Sequence, residues 1–223
     1  MARVVITGAN RGIGLALTRQ LVDRGDEVIA ACRTPSEELE ATDAHVHPGL
    51  DVTDIDSISR LASDLGEAPV DMLINNAGRL SNQSLGEMDA AAVAEMKQQF
   101  EVNSLGPVLV SQAVSEKMGQ GGRIGIVTSR MGSIEDNTSG GSYGYRMSKA
   151  AVNIAGVSLA HDLKPRGIAV ALLHPGFVRT EMTGMRGHVE PEEAATGLLE
   201  RLDALDLSNT GHFWHANGER LPW

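Results

Sequence analysis

The sequence predicts an α/β fold: a doubly wound, seven-stranded parallel sheet with helices on both faces. Three observations carry the prediction. Apolar, β-branched runs alternate with longer segments of helical period. A glycine-rich turn stands between the first of those runs and the first helical segment. The loosest stretches, 79–88, 132–142 and 183–189, each follow the carboxyl end of an expected strand, where ligands bind in open α/β sheets. A chain of 223 residues suits one domain, 1–223, and can bury a sizeable core. Only 3% of it is aromatic, so that core must be Ala, Val, Ile and Leu.

The first strand, Arg3–Thr7, runs through Gly8-Ala9-Asn10-Arg11-Gly12-Ile13-Gly14 into a helix over Gly12–Arg24. Glycines at these spacings permit a tight turn and let the backbone approach a pyrophosphate. The free N–H groups of the helix start favour an anion. This Rossmann-type arrangement makes Gly8, Asn10, Arg11, Gly12, Ile13 and Gly14 candidates for binding a dinucleotide. A glycine turn alone is a weak signal; its position between strand and helix makes it informative.

The second strand, Glu27–Ala31, leads through Cys32 to Arg33. A carboxylate at this end of the strand would serve the ribose 2′-hydroxyl of NAD, but Asp26 and Glu27 lie at the other end. Arg33 and Arg11 can clamp a 2′-phosphate, so NADP(H) is expected over NAD(H). The plainer alternative is two solvated arginines. After the third strand, His45–Gly49, Asp51 can bond an adenine amino group with Val52 beside it. The same segment could simply cap the helix at Ile55–Leu65. The fourth strand, Val70–Ile74, closes in Asn75-Asn76-Ala77-Gly78, where Asn75, Ala77 and Gly78 would let a cofactor lie along the backbone.

One long helix is expected over Ala90–Met118. It contains Asn103, and Gly106 and Pro107 behind it suggest a kink with a bound water. The fifth strand, Arg123–Val127, delivers Ser129, whose hydroxyl could steady a substrate oxygen. In the helix Tyr145–Leu163, Tyr145 and Lys149 are four residues apart and share a face. A nearby ammonium favours the phenolate, so this tyrosine could give or take a proton at a carbonyl oxygen. Lys149 could also hold ribose hydroxyls. Tyr143 lacks the four-residue spacing. The sixth strand, Ile168–Leu173, ends in His174-Pro175-Gly176-Phe177-Val178-Arg179-Thr180. In this rigid turn Pro175, Gly176, Val178 and Thr180 are cofactor candidates, with Thr180 on the nicotinamide carboxamide; His174 reads as a packed strand-end residue. A helix over Pro191–Ala204 and a strand over Gly211–Trp214 complete the sheet.

Taken in order, the glycine turn, the Asn-Asn-Ala-Gly turn, the Asn, Ser, Tyr, Lys set and the Pro-Gly turn resemble the short-chain dehydrogenase/reductase family over nearly the whole chain. The resemblance implies that Asn103, Ser129, Tyr145 and Lys149 are catalytic, with Tyr145 as acid/base. The stretch Met131-Gly132-Ser133-Ile134 through Lys149, and the ending Leu221-Pro222-Trp223, look like the sniffer and C-factor branch, which includes carbonyl reductases and signalling proteins. The expectation is an NADP(H)-dependent carbonyl reductase or alcohol dehydrogenase. Its small-molecule pocket would be lined by Leu80, Met131, Ile134, Phe177 and Met182, with Arg79, Arg130 or Arg179 able to anchor an acidic group. The alternative is a dinucleotide-binding signalling or scaffold protein. A nucleotide-sugar epimerase would want a larger C-terminal region. Three features depart from the family pattern: a longer Ser129–Tyr145 segment, Arg130 in place of a small residue, and a short segment after Thr180.

A net charge of −10 without a basic run argues against a nucleic-acid surface. The single cysteine, Cys32, forms no intrachain disulfide and reads as buried filler in a reducing compartment. No apolar run approaches membrane-spanning length and no signal peptide is read, so a cytoplasmic location is expected. No metal is expected, because His45 and His47 lack further ligands. The Lys149–Leu163 segment is apolar nearly all round, which suggests cover by another subunit, and the family implies a homodimer or homotetramer.

Overall fold

The computed structural model describes residues 1–223. Its strands are β1 (Arg3–Thr7), β2 (Glu27–Cys32), β3 (His45–Pro48), β4 (Met72–Asn75), β5 (Arg123–Val127), β6 (Ala169–His174) and β7 (Phe213–His215). They form one sheet in the order β3-β2-β1-β4-β5-β6-β7, and every pairing is parallel. The order reverses between β1 and β4, which opens a crevice at the carboxyl ends of those strands.

The helices are α1 (Gly12–Asp23), α2 (Glu37–Glu40), α3 (Ile55–Asp64), α4 (Ala90–Phe100), α5 (Gly106–Ser115), α6 (Tyr143–Leu163) and α7 (Pro191–Asp203). Side chains alternate across a strand, so each buried strand feeds two cores. Val4 and Ile6 join Leu17 and Leu21 of α1 and Leu198 and Leu202 of α7 on one face. Val5 joins Leu61 of α3, Val110 and Val114 of α5 and Val152 of α6 on the other. Cys32 is buried in the first core, where burial pushes its thiol pKa up. No helix is long and apolar enough to cross a membrane.

The expected helix over Ala90–Met118 runs unbroken through Ser115, but it is not regular. A π-helical turn, Glu101–Leu105, separates α4 from α5, and α5 stops at Ser115. Just after this turn the chain passes close to the β3–α3 connection: a Cβ on Gly106 would stand 2.8 Å from Val52 Cγ2. Pro107 then falls in the first turn of α5, where a missing N–H costs nothing. α6 begins at Tyr143 rather than Tyr145. The short α2 was not expected from periodicity; Ser36 caps it by accepting from Leu39 N at 3.2 Å.

Candidate active site

The crevice is closed at its base by bonds between the β1 and β4 turns. Thr7 Oγ1 accepts from the backbone N–H groups of Asn76 and Ala77, both at 3.1 Å. Asn76 Nδ2 donates to the carbonyls of Thr7 (3.2 Å) and Gly8 (3.0 Å). A Cβ on Gly14 would overlap the Gly8 carbonyl oxygen, and one on Gly8, at φ +66°, would stand 2.9 Å from Ala77 Cα. Neither position admits a side chain. Arg11, in extended backbone, precedes α1 without capping it, and the first turn holds no acidic residue. The orphan N–H groups of this helix start therefore meet no side-chain acceptor and carry partial positive charge. That donor set fits a pyrophosphate.

Asn10 Nδ2 donates to Thr34 O at 3.0 Å and the Asn10 carbonyl accepts from Ser36 Oγ at 2.7 Å. These bonds draw the glycine turn onto the end of β2, where Arg33 is exposed. Arg11 is also exposed and pairs with Glu181. Asp51 accepts from Thr53 N (2.9 Å) and Thr53 Oγ1 (2.7 Å). The Thr53 backbone N–H, its hydroxyl and the nearby Arg33 charge hold the Asp51 carboxyl below the usual range against the opposing effect of burial. Asn75 is 2% exposed and its amide donates to Ser111 Oγ at 2.9 Å, so its side chain faces α5 rather than the crevice.

Ser129 follows β5 and caps the 3₁₀ turn Arg130–Gly132, its Oγ accepting from Met131 N at 3.1 Å. Tyr145 lies in the first turn of α6 and Lys149 one turn later. The Lys149 Nζ stands 5.7 Å from the Tyr145 ring centroid and donates to Val127 O at 3.0 Å. Burial pushes the Tyr145 phenol up to about 12, with the Ser129 hydrogen bond pulling the other way. Burial alone brings the Lys149 ammonium down to about 8. Asn103 sits in the π-helical turn, 1% exposed. Its Oδ1 accepts from Arg79 N at 2.8 Å, and its Nδ2 donates to Arg79 O (2.8 Å) and Ser148 Oγ (3.0 Å). The expected kink is thus a π-helical turn, and Asn103 clamps the segment after β4 to α6.

His174 ends β6 with its ring edge-on to His215, centroids 5.0 Å apart. Its Nδ1 is buried without a hydrogen-bond partner. Burial, then the positive charges of His215, Arg130 and Lys149, bring its pKa down to about 3, so it is neutral. It packs at the strand end.

Leu80 and Met131 are half-buried, whereas Phe177 and Met182 are exposed and Ile134 is 83% exposed. Met182 Cε would lie 3.8 Å from a Cβ on Gly78, and Thr180 Cγ2 3.2 Å from one on Gly12. The segment after β6 therefore leans over both turns of the crevice. Each of the three arginines considered as anchors already holds a carboxylate. Arg79 pairs with Glu95 (2.6 Å), Arg130 with Asp136 (3.1 Å) and Glu219 (3.0 Å), and Arg179 with Glu190 (3.2 Å). Two buried polar residues that support this region, Gln83 and Gln99, belong to no motif, and Ser148 has no role of its own in the pattern of the stretch before Lys149. Their only sequence signal is a polar type at a position that packing encloses.

The family model described as short chain dehydrogenase matches residues 2–190. The chain is 42% identical over 229 residues to 1-hydroxy-2-glutathionyl-2-methyl-3-butene dehydrogenase of Rhodococcus sp. (strain AD45), covering all of both proteins. It is 42% identical to C-signal of Myxococcus xanthus over 165 residues, which is 73% of this chain and 98% of that one. Among solved structures, NADPH-bound carbonyl reductase from chicken fatty liver superposes with a TM-score of 0.89 at 29% identity, covering 100% of this chain and 99% of that one.

Proposed function

The chain belongs to the short chain dehydrogenase family, within the sniffer and C-factor branch, and we propose that it is an NADP(H)-dependent oxidoreductase acting between a carbonyl compound and its alcohol. The observation that carries the proposal is the arrangement of Ser129, Tyr145 and Lys149 beside an uncapped, glycine-lined helix start. When bound, the nicotinamide cofactor supplies or accepts the hydride. Gly8, Asn10, Arg11, Gly12, Ile13 and Gly14 would hold its pyrophosphate, and Arg11 and Arg33 its 2′-phosphate. Asp51 and Val52 would bound the adenine. Asn75, Ala77 and Gly78 would support it through the backbone, and Pro175, Gly176, Val178 and Thr180 would close on the nicotinamide. Preference for the phosphorylated cofactor rests on two exposed guanidiniums, Arg11 in the glycine turn and Arg33 at the end of β2, and on likeness to the NADPH-bound chicken enzyme.

With its pKa near 12, the Tyr145 phenol keeps its proton at neutral pH and can donate it to a carbonyl oxygen during reduction. In oxidation the phenol must first lose that proton, and the Lys149 ammonium 5.7 Å from its ring favours the phenolate. Ser129 would orient the substrate oxygen. Asn103 would act through the clamp it makes between Arg79 and Ser148. Leu80, Met131, Phe177 and Met182, with the more exposed Ile134, would line an apolar mouth for small or medium substrates. An acidic substrate would have to displace a carboxylate from one of the paired arginines.

The deciding experiment follows NADPH and NADH oxidation with a panel of ketones, aldehydes and quinones, and NADP reduction with alcohols that include glutathione thioethers. Tyr145→Phe is run beside the wild type. Turnover lost in the variant while cofactor binding persists supports the proposal. Cofactor binding without turnover favours a signalling protein, the reading that similarity to C-signal suggests. We further read the whole chain as one domain that self-associates through the outer face of α6, where Ile154 is 67% exposed, a point that light scattering in solution tests.

A further inference from the structure

The helix that carries Tyr145 and Lys149 lacks a cap of its own. Its N-cap residue, Ser142, sits in the left-handed region at φ +48° and makes no side-chain bond to the first turn. The first N–H groups of a helix have no partner within it and need one from elsewhere. The partner here comes from a segment about sixty residues upstream. Gln83 Oε1 accepts from Gly144 N at 2.9 Å, and the Gln83 backbone carbonyl accepts from Ser142 N, also at 2.9 Å. One residue thus grips both sides of the helix start, immediately before Tyr145.

Gln83 is itself held. Its Nε2 donates to Ser81 O (3.1 Å) and Ser81 Oγ (2.8 Å). Ser81 is fastened to α4, its N–H donating to Gln99 Oε1 at 3.0 Å and its Oγ accepting from Gln99 Nε2 at 3.0 Å. Gln83 is 6% exposed and Gln99 fully buried, so the network is enclosed by protein. Space is tight: a Cβ on Gly144 would stand 2.6 Å from Gln99 Nε2, 2.8 Å from Met96 Cγ and 2.9 Å from Gln83 Oε1. Gly144 is therefore glycine because of what packs against it, and the first turn of α6 is held by hydrogen bonds and by contact.

We propose that Gln83 is a positioning residue for catalysis: it caps the Tyr145 helix from a distant segment and so sets where the phenol stands relative to Ser129. The inference rests on the oxidoreductase reading for its kinetic consequence, though not for the cap itself. Loss of the cap frees the turn that carries the acid/base group, and small displacements of such a group cost about 10-fold to 100-fold in rate. Binding of the cofactor would rest mainly on the glycine turn, Arg33 and the turns after β4 and β6, none of which bonds to Gln83.

The test compares Gln83→Met, which keeps the size and loses the acceptor, with Gln83→Glu, which keeps an acceptor for Gly144 N. Expected for Gln83→Met is a kcat lower by about 10-fold or more with the KM for NADPH unchanged, and a larger solvent deuterium isotope effect. Gln83→Glu recovers a substantial part of that loss. A role in stability alone would lower the melting temperature and leave kcat and the isotope effect at wild-type values, which overturns the proposal. A second measurement does not depend on turnover. The chain has two tyrosines, so in a Tyr143→Phe background labelled with ¹³C-tyrosine one ring signal remains. Gln83→Met should shift or broaden that signal and lose hydrogen-exchange protection at Gly144; an unchanged signal and protected amide overturn the proposal. A wild-type protein that turns over no substrate overturns the oxidoreductase reading instead, and the ring signal still decides the role of Gln83.

Discussion

The Lys149 ammonium lies 5.7 Å from the centre of the Tyr145 ring, and burial moves the two groups toward their neutral forms from opposite sides. At neutral pH the cost of burial falls on the Lys149 ammonium, because the Tyr145 phenol is neutral in the folded and unfolded chain alike. Tyr145→Phe removes a hydroxyl and little packing. It should lower kcat by about 10²- to 10⁴-fold, the usual worth of a positioned acid or base, with cofactor affinity unchanged. Steady-state kinetics beside a cofactor titration checks both.

Lys149→Met should lose activity and gain stability. Lys149 has a pKa of about 8 in the fold, against 10.5 for an unburied lysine. Below pH 8 both folded and unfolded chains hold the proton, and the fold bears the burial cost. Between pH 8 and 10.5 only the unfolded chain stays protonated, so stability rises with pH. Methionine removes that cost, worth up to about 3 kcal/mol, less about 1 kcal/mol for the lost bond to Val127. Thermal melts at pH 7 should show a higher Tm for the variant; an equal or lower one contradicts the assignment.

His174 makes the protein sensitive to acid. Its imidazole has a pKa of about 3 when folded and 6.5 when free. Above pH 6.5 neither state binds the proton. As the pH falls from 6.5 to 3 the unfolded chain takes it up and the folded one does not, so stability is lost. At pH 5 the loss from this group is about 2 kcal/mol. His174→Asn should flatten the stability curve between pH 7 and 5 in urea titrations, while a parallel curve would show that other groups govern the acid limb.

Cofactor choice should turn on charge at the rim. Arg33→Ser should raise the KM for NADPH about tenfold or more and leave that for NADH nearly unchanged, since a charge-assisted bond to a phosphate is worth about 1.5–3 kcal/mol. Arg11 is engaged by Glu181. Glu181→Gln frees that guanidinium and should tighten NADPH binding, a change that isothermal titration at low salt resolves best.

Gly14→Ala tests the floor of the crevice. The added Cβ would overlap the Gly8 carbonyl oxygen and sit 2.6 Å from Asn76 Nδ2. The variant should lose about 2 kcal/mol or more of stability and its affinity for dinucleotides together. Gly49→Ala, where nothing lies within 4 Å of the added carbon, bears only the strain of its φ of +79° and should bind as the wild type does.

The amino-acid sequence by itself determined the sheet, the glycine turn at the end of β1 and the shared face of Tyr145 and Lys149. Each of these follows from local spacing: period two in a strand, about 3.6 in a helix, and the steric freedom of glycine in a turn. Only the tertiary structure decided the rest. Gly106 and Pro107 point to an irregularity near Asn103, but its form, a π-helical turn over Glu101–Leu105 with Gly106 packed close to Val52, is not written in the helical period. Arg79, open on sequence grounds to bind an acid, is taken by Glu95, and Arg11 by Glu181, 170 residues away. The cap on the Tyr145 helix comes from Gln83, which no helix-start pattern contains. Burial of Tyr145 and Lys149, which moves their protons, likewise depends on what is packed over them. Backbone geometry repeats within a few residues and can be read from spacing, whereas burial and long-range pairing exist only once distant segments meet.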